Sequence, residues 1–146
     1  KTILFPAINE YFGGNLRGVR IALWGLSFKP DSDDIREAPA MYMIEKLTSA
    51  GAEVVAFDPE AMENVRDLLG HRIKYASSEY EALEDADALL ICTEWAVFRN
   101  PDFTRVTDLL NNKAIFDGRN LYDIPKMEEL GYHYKSVGRQ TVNPKP

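Results

Sequence analysis

Apolar positions along this chain follow two alternating rhythms. Short runs rich in Val, Ile and Leu recur at 19–24, 53–57, 87–92 and 114–116, with weaker runs near 73–76 and 133–137. Each has the length of a buried strand. Between them the apolar spacing changes to three and four. Ala40, Met43, Ile44 and Leu47 mark one helix face, which Pro39 opens and Gly51 stops. Asp58-Pro59 supplies a cap and a first-turn proline before Met62, Val65 and Leu69, and Ser78 with Glu81 has capping-box spacing. Asn100-Pro101 opens a helix carrying Phe103, Val106 and Leu110, and a short one follows Pro125 and ends at Gly131. Strands that alternate with helices and read as continuous apolar runs are buried on both faces. The pattern predicts an α/β fold: a Rossmann-like, doubly wound, mainly parallel sheet with helices on both faces.

Before the first strand, Leu4, Ala7, Ile8 and Tyr11 follow helical spacing and stop at Gly13-Gly14. This reads as a helix entering the domain. With no preceding cap and Pro6 near its start, it points to a longer parent chain. A helix that packs on its own domain is the plain alternative.

At 146 residues the chain is long enough for one substantial core and too short for two. Its net charge of −6 repels phosphate backbones, which argues against nucleic acid and requires any anion to be held by a local arrangement. The single cysteine, Cys92, lies in the apolar run Leu89-Leu90-Ile91-Cys92. It excludes an intrachain disulfide, favours an inert buried thiol over a nucleophile and fits a reducing, cytoplasmic setting. The sequence contains no membrane-spanning stretch and no signal-peptide layout.

In a doubly wound sheet, ligands collect at the carboxyl ends of the strands. Those positions carry Gly25-Leu26-Ser27-Phe28-Lys29-Pro30, Asp58, Thr93-Glu94-Trp95 and Asp117-Gly118-Arg119-Asn120. Gly25 and Asp58 mimic a dinucleotide site, but one glycine cannot supply the three-glycine approach to a pyrophosphate, and Asp58 is better explained as a cap. Lys29 and Arg119 stand where an anionic ligand would arrive and together suggest a phosphate clamp. Taken singly, each also reads as a surface charge or a local carboxylate pair. Phe28 suits a base or sugar face, or a lid on the core. The acidic run 31–37 lacks calcium-loop spacing, so no metal site is expected there. His71 and His133 have no partner nearby in sequence.

The string GLSFKPDSDDIREAP at 25–39 closely resembles the signature of the C-terminal domain of the UDP-glucose and GDP-mannose dehydrogenase family. The resemblance continues through AFDP at 56–59, ADALLICTEW at 86–95 and FDGRNLYD at 116–123. Within the family, FDGRN and the GYHYKSVGR ending look most like the UDP-glucose branch. The resemblance implies a complete enzyme that oxidises UDP-glucose to UDP-glucuronate with two NAD molecules and water. Its NAD-binding domain and catalytic cysteine would lie outside this chain. By motif, Phe28, Lys29 and Arg119 resemble contacts to the UDP-sugar, and Arg36 resembles an arginine facing the cofactor. Residues 1–18 resemble the end of a linking-helix region associated with homo-oligomer formation, 19–140 the nucleotide-sugar domain, and 141–146 a tail. The alternatives are a related UDP-sugar or GDP-mannose dehydrogenase, a stand-alone nucleotide-binding or regulatory module without oxidation chemistry, and a receiver-like interaction domain.

Overall fold

The computed structural model describes residues 3–144. Its elements, in chain order, are α1 Leu4–Tyr11, β1 Arg20–Trp24, α2 Pro39–Ser49, β2 Glu53–Phe57, α3 Met62–Leu69 and β3 Lys74–Tyr75. They continue with α4 Glu79–Leu83, β4 Ala88–Ile91, α5 Phe103–Leu109, β5 Ala114–Asp117, α6 Ile124–Leu130 and β6 His133–Lys135. The six strands form one sheet in the order β3-β2-β1-β4-β5-β6, and every pairing within it is parallel. Val142 adds an antiparallel bridge to Tyr134 at the β6 edge.

Side-chain alternation along the strands explains why their apolar runs are continuous. Ile21, Leu23, Val54, Ala56, Leu90 and Phe116 point into one layer, where they meet the buried faces of α1, α2 and α3. Ala22, Trp24, Leu89, Ile91, Ile115 and Tyr134 point into the other, against α4, α5 and α6. The N-terminal helices therefore cover one face and the C-terminal helices the other. Burying each Leu, Ile or Phe in these layers contributes about 1.5–3 kcal/mol before the entropy of ordering it is subtracted.

The entering helix packs on its own domain: Leu4 and Ile8 are buried in the first layer. Tyr11 sits against the rings of Phe116 and His133, with centroids 5.9 and 4.7 Å away.

The expected helix starts hold in part. Ser78 Oγ accepts from the Glu81 amide at 3.0 Å, whereas the Glu81 carboxylate reaches back to the Ser77 amide and hydroxyl, one residue before the cap. In the segment that Asn100-Pro101 opens, the cap of α5 is Asp102: its carboxylate accepts from the amides of Thr104 and Arg105 at 3.0 and 3.3 Å. Asp58 likewise caps the turn leading into α3, accepting from the amides of Glu60 and Ala61 at 2.8 Å each, while the helix itself begins at Met62. Among the described residues, no helix is long and apolar enough to cross a membrane.

Candidate functional site

Connections from β1 run outward through β2, whereas those beyond β3 return to β4 on the other side of β1. This reversal opens a crevice at the carboxyl ends of β1 and β4, where such sheets bind ligands. Here protein fills it. Gly25 has φ +95°, and a Cβ placed on it would lie 2.6 Å from both the backbone N and the Cβ of Thr93. The loop after β1 therefore presses directly on the loop after β4. Thr93 Oγ1 donates to the Ser27 carbonyl at 2.7 Å, locking the two loops together.

Asp58, at the end of β2, is only 1 % exposed. One carboxylate oxygen accepts from the Leu26 and Ser27 amides at 2.7 and 3.1 Å and from Trp95 Nε1 at 3.2 Å. The other is taken by the turn before α3. The acid that could meet a ribose is thus spent inside the protein, and the indole of Trp95 is buried beside it. These residues do not fit a dinucleotide.

The β4–β5 side differs. Beside Arg119 lies a cavity of about 150 Å³, lined by Leu4, Pro39, Met43, Cys92, Gly118 and Val137. Gly118 keeps the β5 turn tight: a Cβ there would come within 3.2 Å of the Ile91 carbonyl oxygen and of Leu4 Cδ1. Fully buried Asp117 organises the same turn. Its carboxylate accepts from the Arg119 amide at 2.9 Å, the Leu121 amide at 2.7 Å and the Tyr134 hydroxyl at 2.6 Å.

Arg119 reaches Glu94 through one terminal nitrogen at 2.7 Å and remains 37 % exposed, so it combines a carboxylate pair with donors free for a ligand. Partial burial works to raise the Glu94 pKa, but the hydrogen bond and charge of Arg119 prevail and hold it below the usual range. Burial pushes the Cys92 thiol up to about 12, with the Asp117 charge adding to the effect, so Cys92 is an inert lining group and no nucleophile.

Phe28 and Lys29 sit on the loop after β1, which is closed by a hydrogen bond from the Phe28 amide to the Asp34 carbonyl at 2.7 Å. Phe28 is 51 % exposed, so it is not a lid on the core. Lys29 is exposed and, among the described residues, makes no ion pair. Neither residue lines the cavity beside Arg119. Arg36 grips Asp34 with two nitrogens at 3.0 and 2.8 Å; these hydrogen bonds hold the Asp34 carboxyl down at about 2, while the guanidinium stays solvent-facing. Among the described residues, no group of acids, histidines or cysteines is arranged to hold a metal.

Glu94 and Asp117 lie in the strand-end clusters picked out along the chain, but their bonds around Arg119 were not legible there, and Tyr134, in the middle of β6, carried no signal of its own.

Residues 22–124 match the UDP-glucose/GDP-mannose dehydrogenase family, UDP binding domain. The chain is 42 % identical to a UDP-glucose 6-dehydrogenase of Pseudomonas aeruginosa over 95 % of its own length and 32 % of that protein's. It is 43 % identical to one of Rhizobium meliloti over 87 % of its own length and 29 % of that protein's. The chain thus spans about three-tenths of these relatives. A solved UDP-glucose dehydrogenase from Pyrobaculum islandicum superposes with a TM-score of 0.79 at 28 % identity, covering 94 % of this chain and 29 % of that one. The filled β1 crevice, the Arg119 cavity and these likenesses lead to one assignment: the chain belongs to the UDP-glucose/GDP-mannose dehydrogenase family, as its UDP-binding domain.

Proposed function

We propose that this chain holds the nucleotide sugar in an NAD-dependent dehydrogenase that oxidises UDP-glucose to UDP-glucuronate. The observation that carries the reading is Arg119. It is a partly exposed cation beside an enclosed cavity at the carboxyl ends of β4 and β5, in a protein whose net charge is otherwise negative. A guanidinium has five donors in a planar fork, so pairing with Glu94 leaves others to meet a diphosphate. Lys29, exposed on the loop after β1, supplies a second cation, and Phe28 offers its face to the base or sugar.

The cofactor belongs to another domain of the complete protein, with Arg36 facing it from this chain. The filled crevice around Gly25, Asp58 and Trp95 supports that division, as does the share of the relatives' length that this chain spans. The complete enzyme is a cytoplasmic homo-oligomer that needs neither nucleic acid nor a membrane. The isolated chain binds the sugar nucleotide without oxidising it, because hydride transfer requires a positioned cofactor.

Calorimetric titration of the chain with UDP, UDP-glucose, GDP-mannose and NAD at one salt concentration tests this reading. UDP and UDP-glucose should bind, with GDP-mannose and NAD much weaker. NAD binding as tight as UDP, or sustained NADH production from UDP-glucose by the purified chain, overturns it.

A further inference from the structure

We propose that Asn120 and Arg139 are positioning residues for Arg119: together they bracket the β5 loop from the C-terminal segment and preset the arginine for a diphosphate. This rests on the reading of Arg119 as a phosphate contact.

Asn120 has φ +57°, a left-handed conformation that asparagine tolerates better than most residues. In that pose its side-chain amide pairs with the main chain of Val137. It donates to the Val137 carbonyl at 2.9 Å and accepts from the Val137 amide at 2.8 Å. Val137 also lines the cavity beside Arg119, so the bracket closes on the site itself.

Arg139 anchors the same segment from below. Its three guanidinium nitrogens donate to Ser136 Oγ at 2.9 Å, the Tyr122 carbonyl at 3.0 Å and the Tyr134 hydroxyl at 2.8 Å. The Tyr134 hydroxyl in turn donates to Asp117. Burial, reinforced by the Asp117 charge, pushes the Tyr134 pKa up, which keeps it a donor. The Arg139 charge therefore stands one hydroxyl away from the buried carboxylate that holds the Arg119 and Leu121 amides. A buried carboxylate is costly without such compensation.

The residues on either side of the Arg119 backbone are thus tied to positions 134–139, through Asp117 before it and Asn120 after it. A long arginine loses rotamer freedom when it clamps a ligand. Fixing its backbone beforehand reduces the ordering still to be done.

Two variants separate positioning from plain stability. Asn120→Gly keeps the left-handed backbone accessible while removing both bonds to Val137. Arg139→Lys keeps the charge but not the three-way fork. In the full-length protein, UDP is titrated calorimetrically into both variants, into Arg119→Ala, and into each variant combined with Arg119→Ala. Melting curves confirm folding.

Each single variant should weaken UDP binding about three- to tenfold, and should add nothing when Arg119 is already alanine, because coupled residues are not additive. Unchanged UDP affinity in folded Asn120→Gly and Arg139→Lys overturns the proposal. So do losses that multiply in the double variants, since that would place the effect outside Arg119. If Arg139→Lys does not fold, Asn120→Gly alone decides. If Arg119→Ala itself binds UDP normally, the phosphate-contact reading fails and this inference falls with it. An Arg119 effect without effects at Asn120 and Arg139 sinks the bracket alone.

Discussion

At the carboxyl edge of the sheet, the β1–β2 side and the β4–β5 side start from equivalent parallel strands and end with opposite contents. On the first side, the loop after β1 closes on Thr93, and Asp58 draws donors from Leu26, Ser27, Glu60, Ala61 and Trp95. On the second, Asp117 does a similar job for its own turn, but the turn carries an arginine outward beside a cavity of about 150 Å³. Both sides use a buried carboxylate to hold a loop. They differ in what the loop presents, and that difference separates a structural knot from the proposed ligand site. A doubly wound sheet supplies the crevice, and side chains decide whether it is kept or filled.

The strongest way to break this comparison is Asp58→Ala. If the β1–β2 side is a knot, the change takes the acceptor from the buried amides of Leu26, Ser27 and Ala61 and from the part-buried amide of Glu60, while Trp95 Nε1 keeps Ser27 Oγ at 3.2 Å, and it should cost about 3 kcal/mol or more in urea denaturation. A loss within the ±0.5 kcal/mol typical of surface changes, with NAD affinity altered instead, would turn Asp58 back into a cofactor residue.

The smallest expected effect sharpens the other side. The Glu94 pKa is held below its ordinary value of 4.5 by Arg119, against partial burial. A depressed carboxylate stabilises the fold above its unfolded pKa and loses that contribution as pH falls through the folded one. Between pH 6 and pH 3, wild type should therefore lose slightly more stability than Glu94→Gln. The difference should stay under about 1 kcal/mol because the pair is partly exposed and solvent-screened. Identical pH profiles in thermal melts would mean that the ion pair contributes nothing to the fold.

Much of the architecture was legible along the chain because strands buried on both faces leave uninterrupted apolar runs, as at 87–92 and 114–116. Caps were legible in part: the spacing of Ser78 to Glu81 revealed one, while Asn100-Pro101 drew attention from Asp102 two residues on. Arg119 stood out as a cation after a strand. Its supports did not, because hydrogen bonds to partners far along the chain leave no local pattern. Glu94 lies 25 residues from Arg119, and Tyr134 lies 17 from Asp117. Asp58 shows the same limit. Its proline neighbour revealed a turn-capping residue, but the donors that bury it come from 31 to 37 residues away.

The central claim is that the diphosphate meets the β4–β5 side at Arg119. UDP titration into full-length Arg119→Ala and Arg119→Lys measures it most directly. A charge-assisted hydrogen bond is worth about 1.5–3 kcal/mol, so the alanine variant should bind UDP roughly tenfold to a hundredfold more weakly with its melting curve intact. Lysine should recover only part of the loss, because it restores the charge without the planar fork. A folded Arg119→Ala protein that binds UDP with wild-type affinity would contradict the account.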